Sequence, residues 1–191
     1  MLIDNEFEVG SSPDKVWAFF QDVPALAPCL PGAAITQVID EDNYKGEVTS
    51  KVGPVSLKFN GTAEILERNA ATRTIVIKAA GGEAKGKGQA EMNITAILQP
   101  GGKGTRVKVK MDIIMSGAIA QYGRGMVGDI MTVMMKAFAN AVEANINAKE
   151  RGQGPVAVQS SVGGIGVAIS AGKLALKRVV GRLLGLRAWY S

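Results

Sequence analysis

The sequence predicts an α+β chain: a curved antiparallel sheet gripping a long C-terminal helix over residues 1–149, then a flexible linker over 150–170 and a basic amphipathic helix over 171–191. Three observations predict it. From Tyr44 to Met115 apolar and polar residues alternate with period two, in runs broken by glycine and proline. From about Ile119 to Lys149 the apolar spacing becomes helical, with no internal proline. After Glu150 there is no acid at all, yet six of the 22 bases lie there.

The elements follow in order. A short strand over Ile3 to Val9 leads to "SSPDKVWAFF", where Ser12 can cap, Pro13 suits the first helical position and Asp14 favours the positive helix end. A proline-broken loop, "VPALAPCLPGA", comes next; its PCLPG stretch reads as a cavity lid or a rigid turn, with the lid favoured. In "YKGEVTSKV" Tyr44, Val48 and Val52 alternate with Lys45, Glu47, Thr49 and Lys51, and "VSLKFNGTAEI" alternates in the same way after the Gly53-Pro54 turn. Further strands run over Thr74 to Ala80, Glu83 to Leu98 and Thr105 to Met115, and their tight connections imply hairpins. The helix that follows, some 25 residues, would run roughly 38 Å, long enough to cross a sheet. A sheet with one apolar face and one amphipathic helix must bury these against each other.

The strand Glu83 to Leu98 places Ala84, Gly86, Gly88 and Ala90 on its expected inner face and Glu83, Lys85, Lys87, Gln89 and Glu91 outside. Such small residues imply either a very close helix or a gap that a ligand fills. Met92, Met111, Met115, Met126, Met131, Met134 and Met135 fall on the inner strands or the helix; methionine adapts to irregular, ligand-accepting surfaces, although a methionine stripe is more often plain core. Periodicity assigns Trp17, Phe20, Phe59, Met111, Met115, Tyr122, Met126, Ile130, Met134 and Phe138 to a mostly apolar cavity.

Composition excludes much chemistry. The chain has no His and one Cys, so neither a disulfide framework nor a usual zinc site is expected. No paired carboxylates stand out on an inward face, and the expectation is a binding protein rather than an enzyme. "GRGMVG", Gly123 to Gly128, fits a dinucleotide fingerprint in letters only, because no strand follows its helix. "GVAISAGKL" fails the phosphate-loop spacing. The acidic N-terminus "MLIDNEFEVG" lacks an apolar core and is not a secretory signal, which points to a cytoplasmic protein.

Charge is divided unevenly. Residues 1–150 hold 16 bases against 17 acids, whereas residues 151–191 carry six bases and no acid. On a helical wheel of the tail, Leu176, Val179, Val180, Leu183, Leu186 and Tyr190 cluster on one side and Lys173, Lys177, Arg178 and Arg182 on the other. Arg187 and Leu184 break the pattern, but with Trp189 and Tyr190 at its end the arrangement suits a helix lying in the interface of an anionic membrane, with an acidic partner protein as the other reading. Each base near an anionic leaflet contributes about 1 kcal/mol. A nucleic-acid tail would not need so continuous an apolar face, so nucleic acid is not an expected partner. "RGQGPVAVQSSVGGIG" reads as the tether between body and tail.

"PCLPGA" (Pro28 to Ala33), "KVGPV" (Lys51 to Val55), "FNG" (Phe59 to Gly61), "GKGQAEM" and "GAIAQYGRGM" (Gly117 to Met126) closely resemble, in order and spacing, the G-subunit family of carbon monoxide dehydrogenase. That family belongs to the START-like, helix-grip (SRPBCC) superfamily of hydrophobic-ligand binders, and the likeness covers residues 1 to about 149. The resemblance implies an accessory to a molybdenum hydroxylase of the aerobic carbon monoxide dehydrogenase type. In that picture the protein sits at the cytoplasmic face of the cell membrane, extracts a quinone (menaquinone or ubiquinone) and brings it to the enzyme as electron acceptor. Gln121 or Tyr122 would hydrogen-bond a quinone carbonyl. An assembly or recruitment factor for that enzyme, and a START-like cyclase or hydrolase, remain as alternatives.

Overall fold

The computed structural model describes residues 1–52 and 55–156. The expected helix of 171–191, with Lys173, Lys177, Arg178, Arg182, Leu183, Leu186, Arg187 and Trp189, lies outside the described residues, as do the Gly53-Pro54 turn and most of the linker. Seven strands form one sheet: β1 (Leu2–Val9), β2 (Ala33–Val38), β3 (Asn43–Val52), β4 (Val55–Asn69), β5 (Thr74–Glu83), β6 (Gly88–Gly101) and β7 (Gly104–Gly117). Their order is β1-β7-β6-β5-β4-β3-β2, and every neighbouring pair is antiparallel. Helices α1 (Pro13–Gln21) and α2 (Val23–Leu26) connect β1 to β2, and α3 (Arg124–Glu150) follows β7.

Alternation along the strands decides which face is inside. In β7 Thr105, Val107, Val109, Met111 and Ile113 are buried, while Lys108, Lys110 and Asp112 between them are exposed. One stripe of α3, Val127, Met131, Met135, Phe138, Val142 and Ile146, packs on that inner face. Phe138 is the pivot, meeting Phe7 and Phe20 edge-on at ring-centroid distances of 5.8 and 6.0 Å.

Three expectations are corrected. The long helix begins at Arg124 rather than near Ile119, because residues 118–121 form a separate 3-10 turn. The run Glu83 to Leu98 is not one strand: β5 ends at Glu83, residues 84–87 form a hairpin turn, and β6 starts at Gly88. Ala84 and Gly86 are therefore exposed in a turn, Glu83 is buried at 5% exposure, and only Gly88 and Ala90 keep their inner places. The cause is local, since the Glu83 carboxylate accepts the backbone N–H groups of Lys85 (2.9 Å) and Lys87 (3.2 Å) and closes the turn.

The PCLPG stretch is a docked turn. Cys29 is fully buried, Thr49 donates its N–H to Gly32 O at 2.9 Å, and Gly32 sits at φ +76 against the β3 backbone. A Cβ there would lie 2.0 Å from Thr49 O, so only glycine lets this loop close so tightly on the strand.

Candidate ligand-binding groove

The inner face changes character along its length. At one end β1, α1 and the second half of α3 enclose a dry core, with Val9, Val16, Val107 and Val142 at 0% exposure. At the other end a row of small residues crosses the sheet. Gly46 of β3 stands opposite Gly61 of β4, Gly61 opposite Gly81 of β5, Gly81 opposite Ala90 of β6, and Ala90 opposite Met115 of β7. Gly61 is the tightest point, because a Cβ there would meet Ala80 O at 2.1 Å. Glycine at such a position lets neighbouring backbones crowd together and the sheet bend sharply.

Helix α3 keeps its main backbone approaches away from this row. Its main backbone approaches are to β1, to α1 and to the 27–29 turn. In its first half only Val127 is buried, whereas the second half buries Ala139, Ala141, Val142, Asn145, Ile146 and Ala148. The stripe Met126, Ile130, Met134 continues along the helix into Ala141 and Asn145, which lie on the Cys29 side near β2 and β3. On the sheet, Val48 and Phe59 pair across β3 and β4 beside the glycine row. Met126, Ile130, Met134, Val48 and Phe59 are all half-buried. Partly buried apolar side chains on both helix and sheet make this the candidate binding region, which we read as an open trough.

The residues expected to line a cavity therefore divide. Met126, Ile130, Met134 and Phe59 lie half-buried on the trough walls. Met115, Tyr122, Trp17 and Phe138 are half-buried and packed on the core at its border. Phe20 and Met111, at 6% and 2% exposure, belong to the core itself. Gln121 is exposed in the turn before α3. Sequence periodicity missed Val48, Gly61, Gly81 and Ala79, whose common face becomes evident only through strand register. A separate hollow of about 320 Å³ lies on the opposite, convex face between Asp4, Asn5, Glu6, Lys108, Val109 and Lys110. Its four charged side chains are ill suited to an apolar guest.

The groups near the trough have limited reactivity. Burial pushes the Cys29 thiol up to about 11, although Asn145 Nδ2 lies 3.6 Å from its sulfur, so it stays protonated at neutral pH and is a poor nucleophile. Glu83 is the inward-facing carboxyl. Its burial disfavours the charge, but the backbone N–H groups of Lys87, Lys85 and Lys58 and the Lys87 ammonium outweigh that and hold it below its ordinary value. It is thus an ionised acceptor whose lone pairs are largely committed to a turn. Among the described residues no group of three His, Cys, Asp or Glu could hold a metal ion.

Behind the second half of α3 the chain doubles back. Asn145 Nδ2 donates to Ala141 O (2.9 Å) and Val156 O (3.2 Å), and its Oδ1 accepts the Val156 N–H (2.9 Å). Gln153 donates to Ala148 O at 2.9 Å. The first residues of the expected linker are therefore fastened to the body as far as Val156.

Comparison with known proteins agrees with this fold. A conserved protein from Geobacillus kaustophilus is 19% identical with a TM-score of 0.69, over 78% of this chain and 97% of that one. The Zhui aromatase/cyclase from Streptomyces sp. R1128 is 15% identical with a TM-score of 0.56, over 82% and 99% of the two chains. A Thermus thermophilus protein is 15% identical with a TM-score of 0.54, over 78% and 99%. At these identities the likeness establishes the START-like, helix-grip fold. No curated protein matches the chain. The family pattern described as the carbon monoxide dehydrogenase G-subunit (CoxG) matches residues 6–147. With that match over most of its length, the chain belongs to the CoxG family, the G-subunits of carbon monoxide dehydrogenase.

Proposed function

We propose that this protein is a membrane-tethered carrier that takes a hydrophobic ligand, a respiratory quinone such as menaquinone or ubiquinone, and delivers it to a molybdenum hydroxylase of the carbon monoxide dehydrogenase type. The observation that supports the reading is a set of partly buried apolar side chains on α3 and β3–β4 beside a row of glycines that crosses the sheet. A guest that covered this surface would be stabilised by about 25 cal/mol per Å² of apolar area removed from water. The family name supplies the partner, an association with carbon monoxide dehydrogenase.

A binding role suits the chemistry better than an enzymatic one. An ionised Glu83 tied to backbone N–H groups makes a weak general base and no general acid, and the Cys29 thiol is too basic to attack. In this reading the attachment is peripheral, through the basic tail of residues 171–191. Calorimetric titration with a water-soluble short-chain quinone tests the site. The parent protein should bind and Met126→Arg should lose at least 10-fold in affinity while still sedimenting with anionic vesicles. Undiminished binding by Met126→Arg would remove this trough from consideration.

A further inference from the structure

We propose that the open end of the trough is itself a docking surface for anionic lipid headgroups, formed by Lys85, Lys87 and Arg124. This deepens the carrier reading and rests on it. The β5–β6 hairpin, the β7–α3 connection and the start of α3 all lie at the trough end of the sheet, since β5 and β7 both finish there. The three bases are held together by named contacts. Glu83 accepts the backbone N–H groups of Lys85 and Lys87, which turns its own charge inward and leaves both lysine side chains exposed. Ile119 donates its N–H to Lys87 O at 3.2 Å, fastening the hairpin to the turn that leads into α3, where Arg124 is exposed in the first helical turn.

Among the described residues none of these three bases has an ion-pair partner, a property shared with Lys45, Lys78, Lys103, Lys108, Lys110, Lys136 and Lys149, so what sets the three apart is their common place at the trough end. Between them the surface is small and uncharged, with exposed Ala84, Ala118, Ala120 and Gly123. Such a tip can approach headgroups closely without burying an acid. The opposite end of the sheet carries Asp40, Glu41 and Asp42 together with Arg68, which pairs with Asp42, and Arg73 and Lys103 in the neighbouring turns. In this proposal the three bases hold the trough mouth toward an anionic bilayer. A ligand leaving the membrane then enters the trough without crossing water.

The test uses the full chain carrying a bimane on Ala118→Cys; the buried Cys29 thiol does not compete for label. Vesicles of 30% phosphatidylglycerol in phosphatidylcholine are compared with pure phosphatidylcholine, at low salt and with added 0.5 M NaCl. The expected result is a blue shift of the label with the anionic vesicles only, reversed by salt. In the triple variant Lys85→Gln, Lys87→Gln, Arg124→Gln, vesicle affinity should fall about 100-fold, roughly 5-fold per base. At saturating lipid the variant should still sediment through its tail, without the blue shift. Circular dichroism melting of the variant, expected unchanged, separates lost docking from lost folding.

A parent protein that sediments without a blue shift would overturn the docking surface and leave the tail reading intact. A blue shift whose loss in the triple variant abolishes sedimentation would support the surface and sink the tail. An equal shift with phosphatidylcholine alone would contradict the electrostatic basis. A shift absent with lipid but produced by an acidic protein partner would also overturn the proposal, reassigning the rim to that partner.

Discussion

The two halves of α3 are built from similar residues and do different work. From Phe138 to Ile146 the helix lies against β1 and α1 with Val142 wholly buried, and Phe138 is wedged between Phe7 and Phe20. From Arg124 to Met134 it carries Met126, Ile130, Met131 and Met134, apolar by any scale, yet Val127 is its single buried residue. The difference lies in burial. The second half lies against β1 and α1 and buries six residues, whereas Met126, Ile130 and Met134 of the first half stay half-buried. One half stabilises the fold, and in the carrier reading the other offers apolar surface to a guest.

Substitutions should separate the halves most sharply at the aromatic cluster on the second half. Phe138→Ala removes the ring shared by two aromatic partners and should cost about 3–5 kcal/mol in urea unfolding. The clamp on the second half comes next. Asn145→Ala leaves the Val156 backbone without its partners and should cost about 1–3 kcal/mol, with the Val156 amide losing hydrogen-exchange protection. On the first half, Ile130→Ala should cost about 2 kcal/mol, less than Phe138→Ala, because the side chain is only partly buried, while weakening ligand binding. A first-half cost equal to that of Phe138→Ala would mean the trough is a packed core.

The fold is largely legible because period-two and helical spacing survive in a single sequence. The alternation from Tyr44 to Met115 and the helical run up to Lys149 correspond to β3–β7 and α3. The site is less legible. Spacing alone places Met126, Ile130 and Met134 on one helix stripe, but the glycine row is a property of register: Gly46, Gly61 and Gly81 are far apart in sequence and meet only once β3, β4 and β5 pair. Periodicity assigns Phe20 and Met111 to the cavity because it gives a face and no depth, and both are core. The misplacement of Glu83 has a similar cause. A carboxylate that folds its own turn leaves no pattern at the level of alternation, so alternation carries the strand straight through the hairpin.

The smallest effect concerns that carboxylate. The folded state holds Glu83 below its ordinary 4.5, so its contribution is present above the unfolded value and is lost as pH falls through the folded one. Glu83→Gln should therefore flatten the acid side of the stability profile below about pH 4.5 and leave neutral pH less stable than in the parent. Amide exchange at Lys85 and Lys87 should quicken in the parent over the same acid range, with the amides of Val142 and Ile146 unaffected.

The claim that the first half of α3 and the glycine row hold a quinone is tested most directly by mass spectrometry of lipids extracted from the full chain after incubation with menaquinone-loaded vesicles. A form ending at Val156, which keeps the Asn145 clamp, is the comparison. The account predicts about one quinone per protein in the full chain and little in the shortened form, with Phe138→Ala and Ile130→Ala reducing occupancy in proportion to their effect on the trough. Full chains that remain empty while sedimenting with the loaded vesicles would contradict it.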